Sequence, residues 1–184
     1  MPRCVRWEQN HFFITRWHNC WAKIHLSGNG VEVDQAHCSD IEIWNVRLRN
    51  HEPYAFTRLK RAFVSDDSRH RVVMVDAKKL LSCADRDTTD YVLPRVEDWY
   101  PGKVRGICEF LDPSQARIPE MPYVTFRVRN RRTLLGLIGL DKEGVASFRN
   151  GQHRARYIVF AGATSFPVEV HETEAALLER YCGT

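Results

Sequence analysis

No two of the six cysteines, Cys4, Cys20, Cys38, Cys83, Cys108 and Cys182, form a C-x-x-C pair. A zinc ribbon or a thioredoxin-like redox site needs such a pair, so neither is expected. Long hydrophobic runs are also missing. The most apolar stretch, Leu134 to Leu140, falls far short of the roughly 20 residues that cross a bilayer. The first residues carry Arg3, Arg6 and Glu8 and no apolar core of a signal peptide. Internal repeats and low-complexity segments are absent as well. The 184 residues therefore read as one domain, or one domain with an N-terminal extension, long enough to bury a core. The expected setting is the cytoplasm, with free thiols and no insertion into a membrane.

Acidic residues are scarce in one part of the chain. Between Met121 and Arg156 stand Arg127, Arg129, Arg131, Arg132, Lys142, Arg149, Arg154 and Arg156, opposed by Asp141 and Glu143, although the whole chain carries a formal charge of only +4. Such a cluster attracts phosphate, and Arg127, Arg129, Arg131, Arg132, Arg149 and Arg156 are the candidates for contact with a DNA backbone. The ordinary alternative is a solvated arginine-rich face.

Residues 12–64 are rich in aromatic and β-branched side chains, and the stretch from Ile41 to Leu48 alternates as a strand does. Ser27-Gly28-Asn29-Gly30 marks a turn. This region predicts a β-rich extension over residues 1–70, packed on a core domain over 71–184. His18, Cys20, His37 and Cys38 match no standard zinc spacing. Val72–Val75 predicts a strand leading into a helix capped by Asp76. A further helix is expected from about Lys103 to Leu111, stopped by Asp112-Pro113. In Tyr123–Asn130, Val124, Phe126 and Val128 alternate with Thr125, Arg127 and Arg129, predicting a half-buried strand with a basic outer face. Leu134–Leu140 and Val145–Phe148 predict a hairpin around Asp141–Gly144. A short helix is expected to end at Gly162. Phe166–Val170 predicts a strand, which Pro167 places at an edge or a strand start. Thr173 is expected to cap a last helix, with Glu174 near its start and Arg180 near its end. The fold class that follows is mixed α/β.

The polar residues Gly151-Gln152-His153-Arg154 stand where a strand becomes a helix. A helix N-terminus offers unpaired N–H groups and partial positive charge to an anion. Glycine lets backbone approach a ligand closely. Arg154 offers a forked donor set to phosphate, and His153 donates to phosphate or moves a proton near neutral pH. Gln152 can orient a water. The alternative is a solvated first turn in which Arg154 pairs with a carboxylate.

The run "VASFRNGQHRARYIVFAGATSFPVEV", with "VVMVDAKKLL" upstream, resembles the ParB/sulfiredoxin superfamily: strand, G-x-x-R turn, helix ending at glycine, strand with Pro-Val. Within it the closest likeness is to the plasmid fertility inhibition factors, the Osa-like oncogenic suppression group. The resemblance implies a ParB/sulfiredoxin-like core that binds ATP, with Gly151, Gln152, His153 and Arg154 beside the phosphates and the last three also catalytic. It further implies ATP hydrolysis and DNA cleavage, with conjugative DNA or T-DNA as partner. Suppression of export through type IV secretion follows. Sulfiredoxins carry their nucleophilic cysteine where Gln152 stands, so sulfinyl-ester chemistry is excluded at this turn. The helix-turn-helix of ParB proteins would need more chain than follows Val170 here. Hydrolysis of phosphate esters ordinarily uses a divalent metal, Mg2+ in the first place. Glu109, Asp112, Asp141, Glu143 and Glu169 are its candidate ligands, each as readily a surface carboxylate. The alternative function is a non-catalytic inhibitor that binds the coupling components of the secretion machinery.

Overall fold

The computed structural model describes residues 14–16, 24–27, 30–33, 42–65, 67–88 and 93–184. His18, Cys20, His37 and Cys38, together with the Gly28-Asn29 turn, lie outside the described residues. The strands flanking that turn, β2 (Ile24–Ser27) and β3 (Gly30–Val33), pair antiparallel with Ser27 opposite Gly30. A second antiparallel sheet has the order β1 (Ile14–Arg16), β4 (Glu42–Arg47), β5 (Phe56–Lys60).

The main sheet is mixed. It runs β6 (His70–Asp76), β9 (Ser165–His171), β7 (Tyr123–Asn130), β8 (Lys142–Asn150). β6–β9 and β7–β8 are antiparallel, and β9 meets β7 in parallel at Glu169 opposite Tyr123. With five helices added, the mixed α/β class expected from the sequence holds. Trp44, Val46, Leu48 and Leu59 from the second sheet share one hydrophobic core with Val75, Leu80, Val124, Ile158, Phe166 and Leu178.

Helix α1 (Ala77–Ala84) starts where Asp76 accepts from the Lys79 N–H at 2.9 Å. Its Ala77, Leu80, Cys83 and Ala84 recur at helical spacing and are buried. Helix α2 (Pro101–Leu111) has Pro101 in its first turn and ends at Asp112. The first turn tolerates proline because the missing N–H has no helical partner there. Helix α4 (Gln152–Phe160) stops at Gly162, whose φ is +92°. A Cβ there would come within 2.7 Å of Asn50 N, so the glycine serves both the helix stop and close passage of the segment after β4.

Three expectations need correction. Leu134–Leu140 is not a strand. Thr133 Oγ1 accepts from Gly136 N–H at 3.0 Å and starts a short helix α3 (Leu134–Leu137). Strand β8 pairs instead with β7, and residues 131–141 form their connection. Apolar character alone does not separate a short strand from a helical turn. Pro167 is not on an edge, because β9 lies between β6 and β7. The Glu169 N–H reaches Pro122 O at 2.8 Å on the β7 side. Pro167, two residues earlier, turns its ring nitrogen to that same side before β7 has begun to pair. Its missing N–H is therefore needed by no neighbour. Finally, His171 rather than Thr173 caps helix α5 (Glu172–Cys182), with Nδ1 accepting from the Thr173 N–H at 3.4 Å. Glu174 does stand in the first turn and Arg180 in the last.

Glu169 ties the two sheets together. It is fully buried, and its carboxylate accepts from Arg61 Nε at 3.0 Å, Ala62 N–H at 2.7 Å and Phe63 N–H at 3.3 Å. Further ties run from Thr57 Oγ1 to Leu111 O at 2.6 Å and from Met121 N–H to Lys60 O at 2.7 Å.

Candidate functional site

Gly151 joins the end of β8 to α4 with φ +80° and ψ 15°, the left-handed region that glycine enters without strain. A Cβ there would meet Arg154 Nη2 at 2.8 Å and Pro122 Cα at 2.9 Å. The turn is thus glycine for two reasons: its dihedral, and the Arg154 side chain folded back over it. The first helical hydrogen bond runs from Ala155 N–H to Gly151 O at 2.9 Å. The N–H groups of Gln152, His153 and Arg154 therefore precede the ladder, and no side chain caps the helix.

Arg154 is only 9% exposed. Among the described residues no carboxylate forms an ion pair with it, so the solvated turn with a carboxylate-paired arginine is not what forms. Its Nη2 donates to the neutral Asn150 Oδ1 at 3.1 Å, and its guanidinium lies 6.0 Å from the Phe110 ring centre. Burial pushes its pKa below the ordinary value; the Glu120 charge pulls it back and Arg117 pushes it further down. A guanidinium remains charged even so. Nearly dry, and with no carboxylate in ion-pair contact among the described residues, it is a positive centre suited to an anion.

His153 is exposed on the other side of the turn, its ring 5.4 Å from that of Trp99, over which Lys103 Nζ sits at 4.6 Å. Partial burial, then Lys103, lowers its pKa. Gln152 is half-buried. A cavity of about 600 Å3 lies alongside, between α2, Tyr54 and Tyr157, with Trp99 shared between its wall and the His153 contact. Gly151, Gln152, His153 and Arg154 do not themselves line it.

Of the metal candidates, Glu109 and Asp112 share a wall of this cavity. The Ser114 backbone N–H, and then its side chain, hold the Asp112 carboxyl below the usual range. Glu169 is the buried tie between sheets. Glu143 is gripped by Arg129 Nε at 2.8 Å, with Arg131 Nε at 3.7 Å and Arg86 Nε at 3.8 Å. Asp141 accepts from Thr133 Oγ1 at 3.0 Å. Among the described residues, no three His, Cys, Asp or Glu side chains converge to hold a metal ion.

The arginine face is an ion-pair lattice rather than a free strip. Arg127 Nη2 meets the buried Asp87 at 3.3 Å, and Arg131 Nη1 meets Asp141 at 3.8 Å. Arg129 also donates to Arg86 O at 3.0 Å. Arg132 and Arg149 are exposed. Arg156 departs from the outward face altogether. It is 8% exposed and paired through Nη2 with Asp85 at 2.5 Å, so it belongs to the interior. Sequence reasoning missed Asn150, Phe110, Glu120 and Arg117 around Arg154. The first adjoins the glycine in a turn-like Asn-Gly pair, but nothing in the sequence marks the others.

No curated protein sequence matches the chain. A crystal structure of an oncogenic suppression activity protein, described as a plasmid fertility inhibition factor and studied as its gold(I) cyanide derivative, has the same fold. Its TM-score is 0.52 at 16% identity, covering 86% of this chain and 79% of that one. The sequence profile of the plasmid fertility inhibition factors matches residues 72–183, from the second residue after the start of β6 through the end of α5. The chain belongs to the plasmid fertility inhibition factor family.

Proposed function

We propose that the protein blocks conjugative and T-DNA transfer through type IV secretion by binding and hydrolysing ATP and cleaving DNA, on a core of ParB/sulfiredoxin type. The observation that carries this reading is Arg154, buried, charged and without an ion-paired carboxylate among the described residues, beside the N–H groups of the α4 N-terminus. Backbone N–H groups and the guanidinium bind phosphate oxygens there. His153, with its pKa held low, is neutral near pH 7 and able to accept a proton. Gln152 orients the attacking water. Mg2+, when bound with ATP, neutralises phosphate charge. It usually needs one or two carboxylates besides the phosphates, which Glu109 and Asp112 fit better than the engaged Glu169, Glu143 and Asp141. Plasmid DNA incubated with ATP and Mg2+ tests the reading. Gln152→Ala is expected to cut ATP turnover about tenfold or more while leaving affinity within about twofold, because the amide acts on water rather than on phosphate. Wild-type protein that neither hydrolyses ATP nor nicks plasmid would refute it.

A specific observation favours the second reading, an inhibitor that docks on coupling components. The α3 connection projects Leu134, Leu137 and Leu140, respectively 84%, 81% and 75% exposed, with Leu135 and Ile138 beside them. Clustered exposed apolar side chains mark interaction surfaces. Leu134→Ser/Leu137→Ser is expected to leave ATP turnover and plasmid nicking intact. If docking is the inhibitory step, a mating assay will show transfer restored by the same variant.

A further inference from the structure

A second cavity, of about 490 Å3, opens between α1, α5 and the start of β8, away from the Gly151 turn. Lys78 and Lys79 approach it from α1, Arg86 from just beyond α1, and Arg131 and Lys142 from the two ends of the β7–β8 connection. Among the described residues Glu143 is the one carboxylate on its wall, and three arginines already share it. Two further contacts go to neutral acceptors: Lys79 Nζ donates to Gly183 O at 2.9 Å, and Arg86, besides meeting Glu143, donates through Nη1 to Gly144 O at 3.2 Å. Against these five cations stand Glu143 and, through Arg131 at 3.8 Å, Asp141, so positive charge is in excess and an anion relieves the repulsion. One wall is aromatic. Tyr181 is half-buried against Phe126, with ring centres 5.7 Å apart, and Gly144 lies so close that a Cβ there would come within 3.1 Å of the tyrosine ring. The volume falls within the roughly 300–1,000 Å3 of small-molecule sites.

We propose that this cavity binds a nucleotide unit, its phosphate held by the lysines and Arg86 and its base laid against Tyr181. A cationic rim with an aromatic wall is the combination that holds nucleotides by charge and stacking. A free nucleotide and one residue of a DNA strand offer the same chemistry. The inference goes beyond the function proposed above and rests on none of the residues of the Gly151–Arg154 turn.

Calorimetry with three probes tests it: pyrophosphate, ADP and a 5′-phosphorylated thymidine single strand of roughly ten nucleotides. Lys78→Ala/Lys142→Ala alters two exposed side chains and should fold as wild type. It is expected to weaken ADP, the strand, or both at least about tenfold, and to flatten the salt dependence of strand binding by roughly 0.7 for each phosphate that is no longer neutralised. The same weakening is expected in an Arg154→Lys background, because sites this separate act additively. Failure of the turn to bind ATP would therefore leave this result standing. Tyr181→Ala should weaken ADP or the strand but not pyrophosphate, and Tyr181→Phe should restore wild-type affinity. A response confined to ADP identifies a free nucleotide as occupant, and one confined to the oligonucleotide identifies a strand. Affinities for both ADP and the strand that are unchanged by the lysine pair, or wild-type protein that binds neither of the two, would overturn the proposal.

Discussion

Glu169→Ala is expected to destabilise the fold by about 3–5 kcal/mol, the range for removing one partner from a buried charged pair. The carboxylate accepts from Arg61 Nε and from two backbone N–H groups of the segment after β5, and alanine removes that acceptor from all three, while Arg61 Nη2 keeps His70 O at 2.8 Å. Arg61 is 27% exposed and regains some water, which places the effect towards the lower end. Ala62 and Phe63 have no such recourse without withdrawing their segment from β9. Glu169→Gln keeps one acceptor oxygen and is expected to cost about half as much. Urea unfolding monitored by tryptophan fluorescence gives both values. A destabilisation under about 1 kcal/mol for the alanine variant would show that the segment rehydrates freely and that the carboxylate is not the tie between the sheets.

Arg154→Ala is expected to weaken ATP binding about tenfold to a hundredfold. A charge-assisted hydrogen bond is worth about 1.5–3 kcal/mol, which converts to one to two decades of affinity. The large effect follows from the guanidinium's burial. Competing water is largely gone, and its present acceptor, Asn150 Oδ1, is neutral and readily displaced by a phosphate. Arg154→Lys should recover only part of the affinity, since an ammonium cannot form the two-pronged contact. Calorimetry with ATP on protein confirmed as folded is the measurement. Equal affinities for wild type and Arg154→Ala would make the arginine a structural cover for Gly151.

The features that the sequence made legible are those decided by near neighbours. Asp76 announces the start of α1 and Gly162 the end of α4, because a cap or a left-handed stop is settled within a few residues. The Gly151 turn was readable for the same reason. What failed depended on distant partners. An edge and a central strand share one local pattern, so Pro167 gave no sign that β6 and β7 flank it. The arginines of β7 look free until Asp87 and Glu143 are brought beside them. Arg156 looked like part of the same face, but its side chain is buried and pairs with Asp85, 71 positions away. Glu169 likewise passed for a surface carboxylate because its partner Arg61 lies 108 positions earlier.

The order of the main sheet also governs how the chain can be made. Its inner strand β9 is the last of the four strands to leave the ribosome, with α5 after it. Until then β6 has no antiparallel partner, and the β7–β8 pair is not joined to it. Cys83 and Cys182, 99 positions apart, come within 3.6 Å only once helix α5 docks on α1. Closing such loops costs chain entropy before any contact offsets it, so the main sheet can close only once β9 is available. Until β9 emerges, a nascent chain of this kind holds open strand edges on β6 and β7, when mispairing with a neighbour is easiest. Access to chaperones during synthesis therefore bears on how much of the chain reaches its native sheet order.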